Sequence, residues 1–300
     1  MKTENFKKLD ISDYESVQKC LNGQYNNSEA SFSTMYMWQH YAQVKYLLED
    51  SVLYSLCKNK DGNFSSFMPY GKNRNSIETV DKLFNMLSSL GKQVEINLCT
   101  KDFVDFISES TKYNIEIIER RDSFDYVYKT EELINLPGRR YHSKKNHINS
   151  FGKKYQYRYC TYDASMRERC MEFCDRVLSE HYMSDRVSYE TELYSIKKTF
   201  DHLETMNLKC GLLILDDNII ALSVGEKLNN DYALIHIEKA DYNYREAYSV
   251  INNLFLKNEF SDTKFVNREE DMGIEGLRKA KLSYRPCEMI EKYKIILSKE

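Results

Sequence analysis

The sequence predicts an α/β (α+β) protein made of two similar units in tandem, each with a mixed, mostly antiparallel sheet. Three observations carry that reading. A length of 300 residues, at about 100–200 residues per domain, suits two domains or one large one. Hydrophobic residues make up 42%, with 24 Tyr and 14 Phe against only 3 Pro and 10 Gly. That composition excludes disorder, collagen and low-complexity architecture. Finally, the order of helical and strand patterns in the second half repeats that of the first.

In the first half, apolar residues near helical spacing predict helices over 12–21 and 31–41. Apolar runs bounded by turn residues predict strands over 43–48, 52–57 and 64–69, with turns at Glu49-Asp50-Ser51 and Lys60-Asp61-Gly62. A helix over 77–90 meets Gly91, a helix-ending residue. A strand at 94–98, a helix at 101–111 and strands at 115–118 and 126–128 complete the series.

The second half opens with a strand at 157–161. Asp163 is placed to cap a helix reaching Tyr182, with Met166, Cys170, Phe173, Val177 and Leu178 as its apolar stripe. A helix over 188–206 follows, then strands over 209–215, 219–228 and 232–239, joined at Asp216-Asp217-Asn218 and Asn229-Asn230-Asp231. A helix over 245–259 carries Val250, Ile251, Leu254 and Phe255, and a strand follows at 264–266. A helix over 273–282 begins after Asp271, and a strand over 287–297 closes the chain. These elements divide the chain into an N-terminal unit (1–135), a basic connecting helix (136–156) and a C-terminal unit (157–300) carrying the candidate site.

The repeated order matches the fold of the Gcn5-related N-acetyltransferases, so the units are expected to be tandem GNAT-like domains. That match implies that the fourth and fifth strands of a unit splay apart around an acyl donor. In the second half these are the strands at 232–239 and 264–266. Acyl-CoA users of that fold hold pyrophosphate on a Gly-bearing turn at a helix N-terminus, where backbone N–H groups cradle the phosphates. Here the turn over 241–247 has no Gly and carries Glu246. A CoA donor held in that manner is disfavoured, and no cofactor is expected.

The formal net charge of −3 hides a polarised chain. Residues 138–158 carry seven cations (Arg139, Arg140, Lys144, Lys145, Lys153, Lys154, Arg158) and no Asp or Glu, leaving about −10 for the rest. A helix here would show its cations to one side and suit a phosphate-rich partner, or simply be solvated between domains. Eight scattered cysteines include no Cys-x-x-Cys, and the pair Cys170/Cys174 has no second pair to complete a zinc site. Free thiols, no metal and a reducing cytoplasm are expected. No stretch approaches the ~20 apolar residues a membrane span requires, and the N-terminus has no signal-peptide pattern.

Two further clusters carry candidate chemistry. In His236-Ile237-Glu238-Lys239, alternation places His236 and Glu238 on one face of a strand lining the gap. A carboxylate there can orient an amine or take its proton, or be occupied by an ion pair to Arg268 or Lys239. After the fifth strand come Asn267, Arg268, Glu269, Glu270 and Asp271, then Arg278 and Lys281 three apart on a helix, where both can face one ligand.

The stretches YHSKKNHINSF, HIEKADYNYREAYSVIN and FVNREEDMGIEGLRKAKLSYRPCEMIEKY resemble the phosphatidylglycerol lysyltransferase C-terminal domain family (DUF2156). The resemblance spans essentially the whole chain and is strongest in its final quarter. It implies tandem acetyltransferase-like folds related to peptidyltransferases that use aminoacyl-tRNA. The best-understood members pass lysine or alanine from tRNA to phosphatidylglycerol and carry a membrane-embedded region, so a soluble relative is expected here. The expected activity is transfer of an aminoacyl group from tRNA to an amine or hydroxyl of a small-molecule or lipid acceptor. Glu238 would handle the proton or orient the acceptor, and Arg268 or Lys281 the ester or phosphate end. His236, Lys239, Asn267, Glu269, Asp271 and Arg278 would bind substrate. Arg139, Arg140, Lys144, Lys145, Asn146 and His147 would hold tRNA or another anion. The alternatives are acyl-CoA-dependent N-acylation of a small amine, or a non-catalytic RNA- or anion-binding module.

Overall fold

The computed structural model describes residues 2–58, 62–91, 94–111 and 113–297. Two compact units emerge, and neither is a continuous stretch of sequence. The first comprises Met1–Asp125, Glu270–Arg278 and Met289–Glu300, the second Tyr126–Glu269 and Lys279–Glu288.

In the first unit, helices α1 (Tyr14–Leu21) and α2 (Phe32–Trp38) precede strands β1 (Lys45–Glu49), β2 (Val52–Lys58), β3 (Phe64–Phe67) and β4 (Tyr70–Gly71). Helix α3 (Ile77–Leu90), strand β5 (Val94–Thr100), helix α4 (Lys101–Ser110) and strand β6 (Ile115–Glu119) follow. The expected turn at Lys60-Asp61-Gly62 falls, apart from Gly62, outside the described residues. Helix α3 shows why its sequence folds: the Ser76 side chain accepts from Thr79 N at its start, and Val80, Leu83, Phe84 and Leu87 bury one stripe.

The second unit contains strand β7 (Asp125–Lys129), helices α5 (Thr130–Asn135) and α6 (His142–Lys154), and strand β8 (Tyr157–Thr161). Helices α7 (Arg167–His181) and α8 (Arg186–Asp201) lead into strands β9 (Lys209–Leu215), β10 (Asn218–Lys227) and β11 (Tyr232–Ala240). Helix α9 (Ala247–Glu259), strand β12 (Phe265–Asn267), helix α10 (Glu275–Leu282) and strands β13 (Glu288–Ile290) and β14 (Lys292–Leu297) end the chain. The order of this seven-stranded sheet runs β13-β7-β12-β11-β10-β9-β8. Strands β9 and β10 are buried almost throughout because helices cover the sheet: Phe151 of α6 and Ala247, Val250 and Ile251 of α9 pack on Leu213, Leu215, Ile220 and Ala221. Cys170 and Cys174 of α7 lie in the core, where burial pushes the Cys170 thiol up to about 12.

The expected division at residue 135 does not match these units. Strand β7 and helix α5 belong to the second unit, and β14 sits between β5 and β6 in the first unit's sheet, whose order runs β1-β2-β3-β5-β14-β6. The single strand expected over 287–297 is therefore two. Strand β14 is drawn to the first unit by Lys292, a fully buried cation whose ammonium bonds Asp125 Oδ1 (2.6 Å), Glu29 Oε1 (2.5 Å) and Ser28 Oγ (3.0 Å). A buried ammonium needs such acceptors, and this location supplies three.

Candidate functional site

Strand β12 pairs in parallel with β11 only over Tyr232–Leu234, opposite Phe265–Asn267. Beyond Leu234, β11 runs on for six residues while the chain leaves β12, so the two strands part as the fold implied. The β10–β11 ladder is irregular there: Val224 faces Ile237 and Gly225 faces Ile235, so His236 falls at a bulge in the register. Gly225 is required at that point, since a Cβ would lie 2.5 Å from Leu234 O.

The side chains at the parting form two layers. Glu238 is 14% exposed and holds Arg268, itself 11% exposed, with Nη2 donating to Oε1 at 2.8 Å. Asn252 of α9 donates to its other oxygen at 3.1 Å. Arg268 stands over the rings of Tyr284 (5.0 Å to the centroid) and Tyr128 (5.8 Å), and burial raises the Tyr284 phenol. Lys144 of α6 places its ammonium 4.0 Å from the centroid of the same Tyr284 ring. Burial, then the neighbouring Arg268 charge, hold the Lys144 pKa below the usual lysine value, with Glu238 opposing.

The second layer fixes the loop that carries Arg268. The His236 side chain is fully buried, with Nε2 2.9 Å from Glu226 Oε1 and Nδ1 3.2 Å from Glu269 Oε1. Burial alone would depress its pKa, but the two carboxylates outweigh it and raise it to about 9. Glu269 adopts φ +56°, a left-handed conformation costly for a non-glycine residue. Its backbone is held on both sides: its N–H donates to Asn267 Oδ1 (2.7 Å), while its carbonyl accepts from Tyr126 N (3.2 Å) and Lys281 Nζ (3.1 Å). Lys281 also donates to Arg268 O at 2.6 Å.

Of the expected catalytic groups, Glu238 and Arg268 meet directly. Lys281 instead donates to the backbone carbonyls of Arg268 and Glu269. Arg278 and Lys281 take different partners. Arg278 bonds Asp271 through Nε and Nη2 (both 2.8 Å) and Asp122 (2.7 Å), all in the first unit. Buried Asp271 also accepts from Gly273 N (2.9 Å), shaping the turn before α10. Lys239 pairs with Glu192 of α8 at 2.6 Å, and Asn267 is fully buried as a loop brace. In the basic segment, Arg140 pairs with Glu132 (2.5 Å) and Asn146 contacts His142 (3.4 Å). Arg139, Lys145, Asn146 and His147 are exposed, and only Lys144 turns inward. The reading from residues missed Glu226, Asn252, Tyr128 and Tyr284. Asn252 left a signal, as an uncharged polar residue inside the apolar stripe of α9.

The family model for the C-terminal part of phosphatidylglycerol lysyltransferase matches residues 23–296. The chain belongs to that family. A conserved protein of unknown function from Bacteroides thetaiotaomicron is similar over 98% of this chain and 99% of its own, at 25% identity and a TM-score of 0.89. An uncharacterized protein of Mycoplasmoides gallisepticum is 25% identical over 95% of this chain and 97% of its own. L-PGS from Bacillus licheniformis shares the fold at 11% identity, with a TM-score of 0.68 over 96% of this chain and 92% of that one. Membership of the phosphatidylglycerol lysyltransferase family supports an acyltransferase-type activity. Among the described residues, no helix is long and apolar enough to cross a membrane, and no group of three or more His, Cys, Asp or Glu side chains could hold a metal ion.

Proposed function

We propose that the chain transfers an aminoacyl group from tRNA to an amine or hydroxyl of an acceptor. The observation that supports this most directly is the double role of α6. Its inward face sends Lys144 to the Glu238–Arg268 cluster, while Lys145, Lys153 and Lys154 stay exposed on the same helix. A polyanion lying along α6 would bring its end to the place where β11 and β12 part. Cations along one helix supply affinity for a phosphate backbone without reading bases.

The acceptor nitrogen or oxygen attacks the ester carbonyl, and its lone pair forms the new amide or ester bond. The bond to the ribose oxygen breaks, and the proton lost by the nucleophile ends on that oxygen. Glu238, held by Arg268 and Asn252, orients the nucleophile and receives its proton. An activated ester needs little more than such positioning. Helix α9 starts behind Glu246, and Asp241 Oδ1 accepts from Asn243 N (2.9 Å) in the preceding turn. An acidic turn of this kind favours an aminoacyl ester over a CoA thioester as donor.

The test measures binding and consumption of radiolabelled aminoacyl-tRNA by the purified chain at low salt, across mixed acceptors. Binding should weaken steeply with salt. Replacing Lys145, Lys153 and Lys154 with Gln should reduce the slope of log affinity against log salt by about one for each phosphate no longer neutralised. Neither binding nor consumption at low salt refutes the proposal.

A further inference from the structure

The Glu238–Arg268 cluster has one more positive charge than its own residues neutralise. Arg268 and Lys144 bring two cations, and Glu238 is the carboxylate in contact with Arg268. Lys144 makes no ion pair among the described residues, and its ammonium rests on the Tyr284 ring. Arg268 spends Nη2 on Glu238, whereas Nη1 is buried and has no hydrogen-bond partner among the described residues. A guanidinium N–H withdrawn from water without an acceptor is costly, as is a second cation drawn toward it. Both costs vanish if an oxyanion bridges the two.

The surroundings hold these donors in place rather than letting them relax. The rings that flank Arg268 are tied down: Tyr128 OH donates to Lys281 O (2.8 Å), and Tyr284 OH lies 3.2 Å from Ser249 Oγ. Lys281 and Asn267 fix the backbone on either side of the guanidinium. Lys144, by contrast, reaches the Tyr284 ring from the half-exposed side of α6 on a four-carbon stem, and its ammonium has no ion pair among the described residues to hold it there.

We propose that Arg268 Nη1 and Lys144 Nζ together form an oxyanion-binding site, taking the carboxylate or phosphate of a small acceptor molecule. Arginine binds such groups through a fixed planar fork, and lysine adds a mobile point charge. The exposed cations of α6 suit a long polyanion. A buried guanidinium nitrogen admits only a compact group, which assigns this site to the acceptor. This names the chemical class of the acceptor and in that respect rests on the transfer reading above. In the complex, the acidic group would anchor the molecule while Glu238 meets its amine or hydroxyl.

The test is calorimetric titration of the full chain with acetate, inorganic phosphate and neutral acetamide, in a buffer free of other oxyanions. At least one of the two anions should bind while acetamide does not. Stronger acetate binding marks a carboxylate acceptor, and stronger phosphate binding a phosphorylated one. Lys144→Met keeps the Glu238–Arg268 pair, so it should fold, and should weaken anion binding tenfold or more. Lys264→Met, at an exposed lysine that pairs with Asp231, should leave affinity unchanged. Arg268→Lys keeps the charge but loses the fork, and should weaken binding likewise if its melting temperature holds. Binding of neither anion, or undiminished binding by Lys144→Met, overturns the proposal. No tRNA is present, so absent anion binding alongside continued consumption of aminoacyl-tRNA defeats this inference alone. Anion binding without transfer defeats only the transfer reading.

Discussion

Replacing His236 with Gln tests how the strained Arg268–Glu269 loop is held. In the folded chain the imidazole stays protonated up to about pH 9, against a reference near 6.5 in the unfolded chain. A group whose folded pKa is raised takes up a proton on folding. Its stabilisation is complete below pH 6.5 and is lost as pH rises through 9. At about 1.36 kcal/mol per tenfold, the gap amounts to about 3 kcal/mol. The side chain is fully buried, so solvent screening does not reduce that figure much. For a unit of this size each kcal/mol moves the melting temperature by roughly 2–4 °C, giving about 6–12 °C. The assay is differential scanning calorimetry from pH 6 to pH 10 on wild type and His236→Gln. The variant should melt well below wild type at pH 6, because Glu226 and Glu269 lose the cation between them. The two curves should converge toward pH 10. A difference that stays constant or widens with pH refutes the reasoning.

Other substitutions probe the neighbouring contacts. Glu238→Gln keeps the side-chain shape but removes the carboxylate, and kcat/KM for aminoacyl transfer should fall by about 100-fold or more; an unchanged rate dismisses Glu238 from the proton path. Lys281→Met strips a donor from the carbonyls of Arg268 and Glu269, and urea denaturation should register a loss of about 1–3 kcal/mol. Lys292→Met leaves Asp125 and Glu29 buried without their cation and should cost about 3–5 kcal/mol by the same measurement. Burial holds the Glu29 carboxyl above its usual range, followed in size by the opposing Lys292 charge. Acidification should therefore narrow the Lys292→Met deficit as Glu29 takes up a proton, and a deficit that grows at low pH contradicts this.

Much of the architecture was legible because it rests on short-range chemistry. The apolar stripe of α3 and its Ser76 cap are local, as are the three strands β9, β10 and β11 with polar turns between them. Helix α5 is illegible in the sequence because six residues, Thr130–Asn135, show too little periodicity. What sequence spacing does not encode is partner choice. The apolar pattern of residues 292–297 marks a buried strand but names no neighbours, and these turned out to be β5 and β6. At the site, Glu238 and Arg268 are visible in the sequence as charged residues at strand ends, and their ion pair is one arrangement that placement allows. Lys281 and Arg278 are equivalent in spacing, three residues apart, yet the acceptors of Lys281 belong to the second unit and those of Arg278 to the first. The left-handed turn at Glu269 left no trace, since it is imposed on an ordinary residue by Asn267, Tyr126 and Lys281.

Strand β14 occupies an interior position in the first unit's sheet, between β5 and β6. During synthesis this strand leaves the ribosome after every other strand of both units. At about 5–20 residues per second, the N-terminal segments must wait tens of seconds with two strand edges open. The usual order, in which the N-terminal domain finishes first, is thereby reversed: the second unit's strands are all available before the first unit's sheet can close. Open edges of that kind invite pairing with other chains, so damage to β14 should surface as misassembly of the first unit's sheet.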